Sequence, residues 1–399
     1  MVSLHTSPAA SPGSGSASGM NVAIIETARE LAARGVEVDL LTRAVEHFGA
    51  TAIAPGVTLH ELPVGPLAEM SHIELPNLAD DFGEAVAQMA GRDSPRYDVI
   101  HAHFWLGGIA VLPVALELGV PFVQSFHTLA TINNSRMASG DMSEPHRRVM
   151  AEKYLASQAD AIVAGSAFEA TNLIDEVAAP PGSVWVVPPG VDLSHFSPLK
   201  AASDSLLSVL RIDEGRPVLA VVARLQPLKG HELALRALAA MQSPRPLLAI
   251  AGAPSPGSEG YVSRLRALVT ELGLDGDVRF LGALDRDDIA SLLARADLTL
   301  IPSHSETFGL VALESAASGT PVVAALSTGL VESVSPGESG VLIESREPTD
   351  WAAVISGMLA DPQTIRTLST TARSFAESFS WGATATGLLG VYASVLRRR

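Results

Sequence analysis

The chain has 399 residues, of which 47% are hydrophobic and 18% are charged, and its formal net charge is −16. This length exceeds one ordinary hydrophobic core, so two domains are expected, and the composition excludes a disordered or fibrous protein. The acidic balance argues against nucleic acid and against an anionic membrane as partners, because both require a basic surface.

The chain contains no cysteine, which excludes a disulfide framework, a thiolate nucleophile and a cysteine-based metal site. The first twenty residues lack the basic start and apolar block of a signal peptide. The most apolar window, residues 104–126, is interrupted by Pro113, Glu117 and Pro121, so it predicts a buried helix followed by a strand. We therefore expect a cytoplasmic protein.

A βαβ unit is predicted at the start of the chain. MVSLHTSP predicts a short first strand, which leaves open whether the true start lies upstream of Met1. A Gly/Ser-rich loop ends at Asn21, apolar residues then recur at helical spacing up to Gly35, and VEVDLLT predicts a strand. Free N–H groups at such a helix start suit a phosphate, although a flexible turn is the alternative. No G-x-G-x-x-G motif opens the helix, which argues against a dinucleotide-binding dehydrogenase.

Histidines follow the next two predicted strands. YDVIHAHFW ends in His101 and His103, and PFVQSFHTLA ends in His127 and Thr128. Ligands bind open parallel sheets at the carboxyl ends of the strands, so polar side chains that share this edge predict a site. A structural role is the alternative for any single histidine, but the repetition favours a functional role for His127.

The whole chain predicts an α/β protein with two Rossmann-like, doubly wound domains that face each other across a deep cleft. Residues 44–95 are predicted to be irregular, and the proline-rich segment VWVVPPGVDLSHFSP predicts the domain boundary. The first domain is expected to span residues 1–194, and the second residues 195–379. The final helix, 380–399, is expected to pack back on the first domain.

Cations and carboxylates follow the strands of the second half. Arg224 and Lys229 come after the strand PVLAVVARL, and such a pair suits a diphosphate, with solvated surface cations as the alternative. The strand DLTLIPS runs into ETFGLVALE, which carries Glu306 and Glu314. Carboxylates are strong acceptors for sugar and ribose hydroxyls, so these residues together predict a nucleotide-sugar site.

These motifs carry a family resemblance that covers nearly the whole chain. Glu306 and Glu314 match the E-x7-E motif of the retaining glycosyltransferases of family 4, which have the GT-B fold, and RLQPLKG, PPGVDLSHF and the closing S-W helix fall in family order. More narrowly, HTSP, PGSGSASGMNV, HAHFWLGG and FHTLA resemble the MshA-type inositol-phosphate N-acetylglucosaminyltransferases of the mycothiol pathway.

The resemblance implies a UDP- or GDP-sugar donor, a small-molecule acceptor, retention of anomeric configuration, no tightly bound cofactor and no essential metal ion. It also implies a possible homodimer, an acceptor-binding first domain and a nucleotide-sugar-binding second domain. The implied catalytic residues are His127, Glu306, Arg224 and Lys229. The implied donor contacts are Gly19, Arg224, Lys229, Leu284, Glu306, Thr307, Phe308, Gly309, Leu310 and Glu314. The implied acceptor contacts are Asn21, His72, Phe104, Thr128 and Arg148.

Three residues depart from the narrower pattern. His72 stands where those enzymes have a lysine, Phe104 replaces a tyrosine, and Leu284 replaces an arginine. Phosphate sites need charge-assisted donors, so the loss of a fixed cation and a hydroxyl favours a different small polar acceptor, as in specialised-metabolite or thiol biosynthesis. Transfer of N-acetylglucosamine to inositol phosphate is the alternative, and Leu284 leaves uracil and guanine open as the donor base.

Other classes of protein compete with this interpretation. A nucleotide-sugar epimerase shares the fold but uses no acceptor, and a non-catalytic nucleotide-sugar binder would tolerate the loss of Glu306. A transferase that works at a lipid surface is disfavoured, because the first half lacks a basic amphipathic helix.

Overall fold

The computed structural model of the protein describes residues 1–10, 19–71, 73–91, 97–200, 210, 215–255 and 258–398. Within these ranges the strands form two separate sheets, one from each half of the chain. This arrangement confirms the predicted α/β class with two Rossmann-like domains. No helix in the described ranges is both long and apolar enough to cross a bilayer.

The first sheet has the strand order β3-β4-β2-β1-β5-β6-β7-β8. All neighbours pair in parallel except β3, which runs antiparallel to β4 at the edge. Its strands are β1 Val2–Ser3, β2 Val38–Arg43, β3 Gly49–Ala54, β4 Val57–Leu62, β5 Ile100–His103, β6 Phe122–Ser125, β7 Ala161–Ala164 and β8 Val184–Val186. The helices of this half are α1 Gly19–Ala32, α2 Ala79–Ala90, α3 Phe104–Leu118, α4 Ala130–Ser135, α5 His146–Gln158 and α6 Ala167–Asp175.

The second sheet is entirely parallel, with the order β11-β10-β9-β12-β13-β14. Its strands are β9 Val218–Val222, β10 Leu247–Ala251, β11 Val278–Gly282, β12 Leu298–Ile301, β13 Val322–Ala325 and β14 Gly340–Ile343. The helices are α7 His231–Ala240, α8 Glu259–Glu271, α9 Arg286–Arg295, α10 Leu310–Ala317, α11 Leu330–Ser333, α12 Pro348–Ala360, α13 Pro362–Ala376 and α14 Trp381–Leu396.

The connection order of the second sheet reverses between β9 and β12, which are neighbours in the sheet but far apart in the chain. Loops that leave two such strands diverge to opposite faces and open a crevice at the carboxyl edge, where ligands bind in this architecture. In the first sheet the same reversal lies between β1 and β5. The fold therefore places the loops after β9, β12 and β5 at two crevices that face each other.

The last helix, α14, packs on the first half of the chain. Leu388, Val391 and Val395 join the buried cluster formed by residues of β6 and β7. The hydroxyl of Tyr392 lies 2.7 Å from Nδ1 of His101. The chain therefore passes between the two halves twice. The domain limits at residues 194 and 379 stay a prediction.

The interpretation of residues 44–95 as irregular was wrong. This stretch contains the hairpin strands β3 and β4 and the helix α2. Strand β3, GATAIA, is largely exposed at the sheet edge, so it lacks the apolar alternation that indicates a strand. Helix α2 includes Gly83, where a Cβ atom would lie 2.3 Å from the carbonyl oxygen of Ala110. The glycine that lets α2 pack on α3 also weakens its helical signal.

Candidate active site

A cavity of about 370 Å³ lies between the carboxyl edges of the two sheets. Side chains from both halves line it, and the volume falls within the range of small-ligand sites. Among the residues predicted for the site, the cavity brings together Gly19, His127, Thr128, Arg224, Lys229, Leu284, Glu306, Thr307, Phe308, Gly309, Leu310 and Glu314.

An ion pair stands on the second-domain wall. Lys229, after β9, donates to Oε1 of Glu306, after β12, at 2.7 Å, and the Ser303 hydroxyl donates to the same oxygen at 2.8 Å. The Glu306 N–H is fixed by Thr328 Oγ1 at 2.8 Å. Burial lowers the pKa of nearby Arg224, which the Glu306 carboxylate opposes. Two cations and one carboxylate thus converge where the sheet reverses, an arrangement that can hold a diphosphate beside a sugar hydroxyl.

Helix α10 begins beside this pair. Gly309 precedes it with a φ of 101°, and a Cβ atom there would lie 2.7 Å from Leu330 Cδ2, so glycine is required on both conformational and steric grounds. Gly19 meets the same helix from the other side, because its Cβ atom would lie 2.8 Å from Leu310 Cδ1. Gly19 of the first half therefore packs directly against α10 of the second half, next to the N-terminus of that helix.

Glu314 lies about one turn into α10 and faces the cavity. Burial raises its pKa to about 7, and the positive charge of Arg286 opposes this shift. A carboxyl group that titrates near neutral pH can accept hydrogen bonds from ribose hydroxyls when it is ionised. The structure places Glu306 and Glu314 on the same wall.

The raised pKa predicts how stability depends on pH. Between pH 4.5, the ordinary pKa of a glutamate, and about pH 7, Glu314 is protonated in the folded protein but ionised in the unfolded chain. The proton bound in the folded state stabilises it, and this stabilisation is lost as pH rises through 7. The variant Glu314→Gln has no titratable group at this position and so lacks this pH dependence. We expect the unfolding free energy of the variant, relative to the native protein, to rise by about 1–2 kcal/mol between pH 5 and 8, because cavity water screens part of the shift. Chemical denaturation at several pH values measures this, and a constant difference would contradict it.

The first-domain wall carries three stacked histidines. The rings of His101 and His103 are 4.4 Å apart, and those of His103 and His127 are 5.1 Å apart. Nδ1 of His103 lies 2.9 Å from Nε2 of His127, and Nε2 of His101 lies 2.9 Å from the Ser125 hydroxyl. Burial lowers the pKa of His127 to about 4 and those of the other two well below their ordinary value. These three histidines are therefore neutral at physiological pH.

His127 has a left-handed backbone with a φ of 61°. Such a conformation is costly for a residue other than glycine and persists only where surrounding contacts hold it. One of these contacts comes from the second domain, since the Thr307 hydroxyl donates to the His127 carbonyl oxygen at 2.5 Å. The motif that carries Glu306 is thus attached directly to the predicted catalytic histidine.

Further contacts join the two walls. The Ser166 hydroxyl donates to the carbonyl oxygen of Thr307 at 2.8 Å. The carboxylate of Glu332 accepts from the Ala167 N–H at 2.9 Å and from the next N–H of α6 at 3.1 Å. Arg286 pairs with Glu26 of α1 at 2.7 Å. These contacts hold the cleft closed around the cavity.

Thr307 is expected to contribute to closure. Thr307→Val keeps the shape of the side chain but removes the hydrogen bond to His127, which is worth about 1 kcal/mol. We expect kcat/KM to fall about fivefold with little change in melting temperature. Thr386→Val is the matched control, because its hydroxyl bonds only within α14 in the described structure, to Gly382. Equal kcat/KM in both variants would contradict the role of Thr307.

Four of the five predicted acceptor contacts are described, and three of these lie outside the cavity lining. Asn21 is buried and donates to the Ser7 carbonyl oxygen at 2.6 Å, and Phe104 packs under the guanidinium of Arg148 at 4.8 Å. Thr128 alone lines the cavity. His72 lies outside the described residues, as do residues 11–18 of the Gly/Ser-rich loop.

Arg148 supports the site indirectly in this conformation. It is 5% exposed and pairs with Glu144 and Glu152, each at 2.7 Å. It also donates to the carbonyl oxygen and the hydroxyl of Thr128, at 3.0 and 2.8 Å. These bonds fix Thr128 beside the histidine wall. A direct contact between Arg148 and an acceptor stays a prediction.

Sequence reasoning missed two charged residues of the cavity. Arg286 lies two residues after Leu284 and next to Asp285, the N-cap of α9. Its position after a strand could therefore be predicted from the sequence. Glu169 stands three residues after Ser166, in the S-x-x-E pattern of a helix capping box at the end of β7. In both cases the residue lies in or beside a helix-capping motif, which explains its presence without a role in the site, although it also lines the cavity.

Two family models match the chain. Residues 17–195 match the model described as "Glycosyltransferase Family 4", and residues 203–375 match "Glycosyl transferases group 1". The D-inositol 3-phosphate glycosyltransferase of Stackebrandtia nassauensis is 39% identical, over 100% of this chain and 92% of the relative. The protein of the same name from Acidothermus cellulolyticus is 42% identical, over 100% and 90%.

Solved structures agree with the fold. Sucrose-phosphate synthase from Thermosynechococcus elongatus superimposes with a TM-score of 0.90 at 28% identity and covers 100% of this chain and 98% of its own. Anabaena HepE, solved in complex with UDP and glucose, has a TM-score of 0.77 at 23% identity, with 98% and 99% covered, and shows likeness in fold alone. The chain therefore belongs to the GT-B glycosyltransferases of family 4, alongside the D-inositol 3-phosphate glycosyltransferases, and is itself a glycosyltransferase.

Proposed function

We propose that the protein transfers a sugar from a nucleoside-diphosphate donor to a hydroxyl or other nucleophile of a small polar acceptor. The observation that supports this proposal is the cavity of about 370 Å³ between the two halves. Arg224, Lys229 and Glu306 line it on one side, and His127 lines it on the other. Cations suited to a diphosphate lie on one wall, and uncharged histidines lie on the opposite wall.

The proposed roles follow from the charges. Arg224 and Lys229 neutralise the diphosphate as it leaves, Glu306 orients the donor sugar, and Glu314 accepts from the ribose. The bond from the anomeric carbon to the diphosphate oxygen breaks as the acceptor oxygen bonds to the same face of that carbon, so configuration is retained. The proton of the acceptor hydroxyl passes to the leaving phosphate. His127, neutral because of its low pKa, lies beside the reacting sugar as a hydrogen-bonding group.

The acceptor is the open part of the proposal. Two departures from the inositol-phosphate pattern, His72 and Phe104, favour a small polar acceptor other than inositol phosphate. Inositol 3-phosphate is the second candidate, and the names of the curated relatives, at 39% and 42% identity, favour it. Both uracil and guanine remain candidates for the donor base.

Further expectations belong to this proposal. Catalysis is expected to need no metal ion, since Arg224 and Lys229 supply the positive charge at the diphosphate. No tightly bound cofactor is expected. A cytoplasmic location fits the absence of cysteine, and a homodimer is expected from the resemblance alone.

A screen of purified protein tests the acceptor directly. UDP- and GDP-sugars are combined with neutral polyols, amino compounds and inositol 3-phosphate, and products are identified by mass spectrometry. We expect a glycoside with one of the non-phosphorylated acceptors. Rapid transfer to inositol 3-phosphate would overturn this choice of acceptor and establish the second candidate.

A further inference from the structure

A third carboxylate, separate from the E-x7-E pair, lines the cavity. Glu169 lies in the first turn of α6 and is 1% exposed. Its N–H donates to the hydroxyl of Ser166 at 3.1 Å, and its Oε2 accepts from the Gly165 N–H at 2.8 Å. This is the geometry of a helix cap, and it occupies only one of the two carboxylate oxygens.

The other oxygen, Oε1, is buried and has no hydrogen-bond partner among the described residues. A buried acceptor without a partner costs free energy, and helix capping does not require that cost, since Oε2 alone completes the cap. Burial raises the pKa of Glu169 to about 7, with the Gly165 N–H opposing and the charges of Glu152 and Glu332 adding to the shift. Because Glu169 lines the cavity, a ligand that binds there can supply the missing donor.

The charges around the cavity indicate which ligand group fits. The cations that line the described cavity, Arg224, Lys229 and Arg286, all belong to the second half of the chain. The described part of the first-domain wall carries Glu169 and the neutral histidines, and no cation. From neutral pH upward, where Glu169 is increasingly ionised, an anionic group beside it would be repelled, whereas a hydrogen-bond donor would pair with Oε1.

We propose that Glu169 is a specificity-determining residue of the acceptor subsite, where its free Oε1 accepts a hydrogen bond from a hydroxyl group of the acceptor. This inference rests on the proposed glycosyl transfer and deepens it. It also gives a structural reason for the acceptor to carry a hydroxyl, and not a phosphate, at this position.

Glu169→Gln tests this role and preserves the cap. The Gly165 N–H requires an oxygen, so the amide turns its NH₂ toward the cavity and replaces an acceptor by a donor. Acceptor and donor KM are measured by steady-state kinetics, using the best acceptor for the native protein among myo-inositol, inositol 3-phosphate, glucose and glucosamine. We expect acceptor KM to rise about 10-fold, with donor KM and melting temperature unchanged.

Asp361→Asn is the matched control, because Asp361 caps α13 through the Gln363 and Thr364 N–H groups and lies outside the cavity lining. It should leave both KM values unchanged. Glu169→Gln with an unaltered acceptor KM would overturn the inference, and so would a rise in donor KM alone, or equal changes in the control. If the native protein glycosylates none of the four compounds, the proposed function fails at that step, before any variant is compared.

Discussion

Replacing Lys229 with alanine is expected to lower kcat about 1,000-fold. Lys229 is half-buried in the cavity and pairs with Glu306 at 2.7 Å, so it lies where the diphosphate would accumulate charge. Removing one preorganised electrostatic group from a water-poor site typically costs 100- to 1,000-fold in rate. The loss here is expected at the upper end, because the unpaired Glu306 carboxylate would also repel the leaving group.

The measurement is steady-state kcat at saturating donor, and the control is Lys200→Ala. Lys200 also pairs with a carboxylate, that of Asp287, but the pair lies at the surface and outside the cavity lining. The control should retain full activity. Combining Lys229→Ala with Glu306→Gln should cost less than the product of the two single effects, since the residues are in contact. A Lys229→Ala variant that keeps more than a tenth of kcat would contradict the assignment.

The second large effect is expected at His127. Asparagine tolerates the left-handed backbone at this position, so His127→Asn removes the imidazole with little strain. We expect kcat to fall about 100-fold with a small change in donor KM, as for the loss of a group that acts in the transition state. His47→Asn, at an exposed site outside the cavity, is the control.

The pH profile separates the possible roles of His127. Its pKa of about 4 lies below the ordinary value of 6.5, so the ring loses its proton well below neutral pH and stays neutral above about pH 5.5. His127 should therefore contribute no inflection between pH 6 and 8. If the native enzyme shows an inflection there that His127→Asn abolishes, the ring titrates near neutral pH and the neutral role is wrong.

Much of the fold could be predicted from local patterns. Apolar runs such as VLAVV and LTLI indicate buried parallel strands, and each recurs with a helix between, so the two doubly wound sheets follow. Lys229 and Glu306 could be assigned to one site, since each follows a buried strand of the second half, but their ion pair depends on β9 and β12 being neighbours in the sheet, which the structure shows. The exposed edge strand β3 could not be predicted this way, since it buries too little to impose a pattern.

Contacts between the two walls could not be predicted. The bond from Thr307 to His127 and the bonds from Glu332 to α6 join positions about 165 to 180 residues apart, and neither partner carries a local signal for the other. The structural role of Arg148 was not predicted, for a different reason. Its ion pairs with Glu144 and Glu152 are at helical spacing and could be predicted from the sequence, whereas the resemblance implied a contact with the acceptor.

Transfer of a sugar from a nucleoside diphosphate to an acceptor can be tested by the stoichiometry of a single reaction. The protein is incubated with donor and acceptor, and the nucleoside diphosphate and the glycosylated acceptor are quantified together by mass spectrometry. We expect equal amounts of both products, and loss of both with Lys229→Ala. Free sugar or an epimerised sugar with every acceptor tried, and no glycoside, would contradict it.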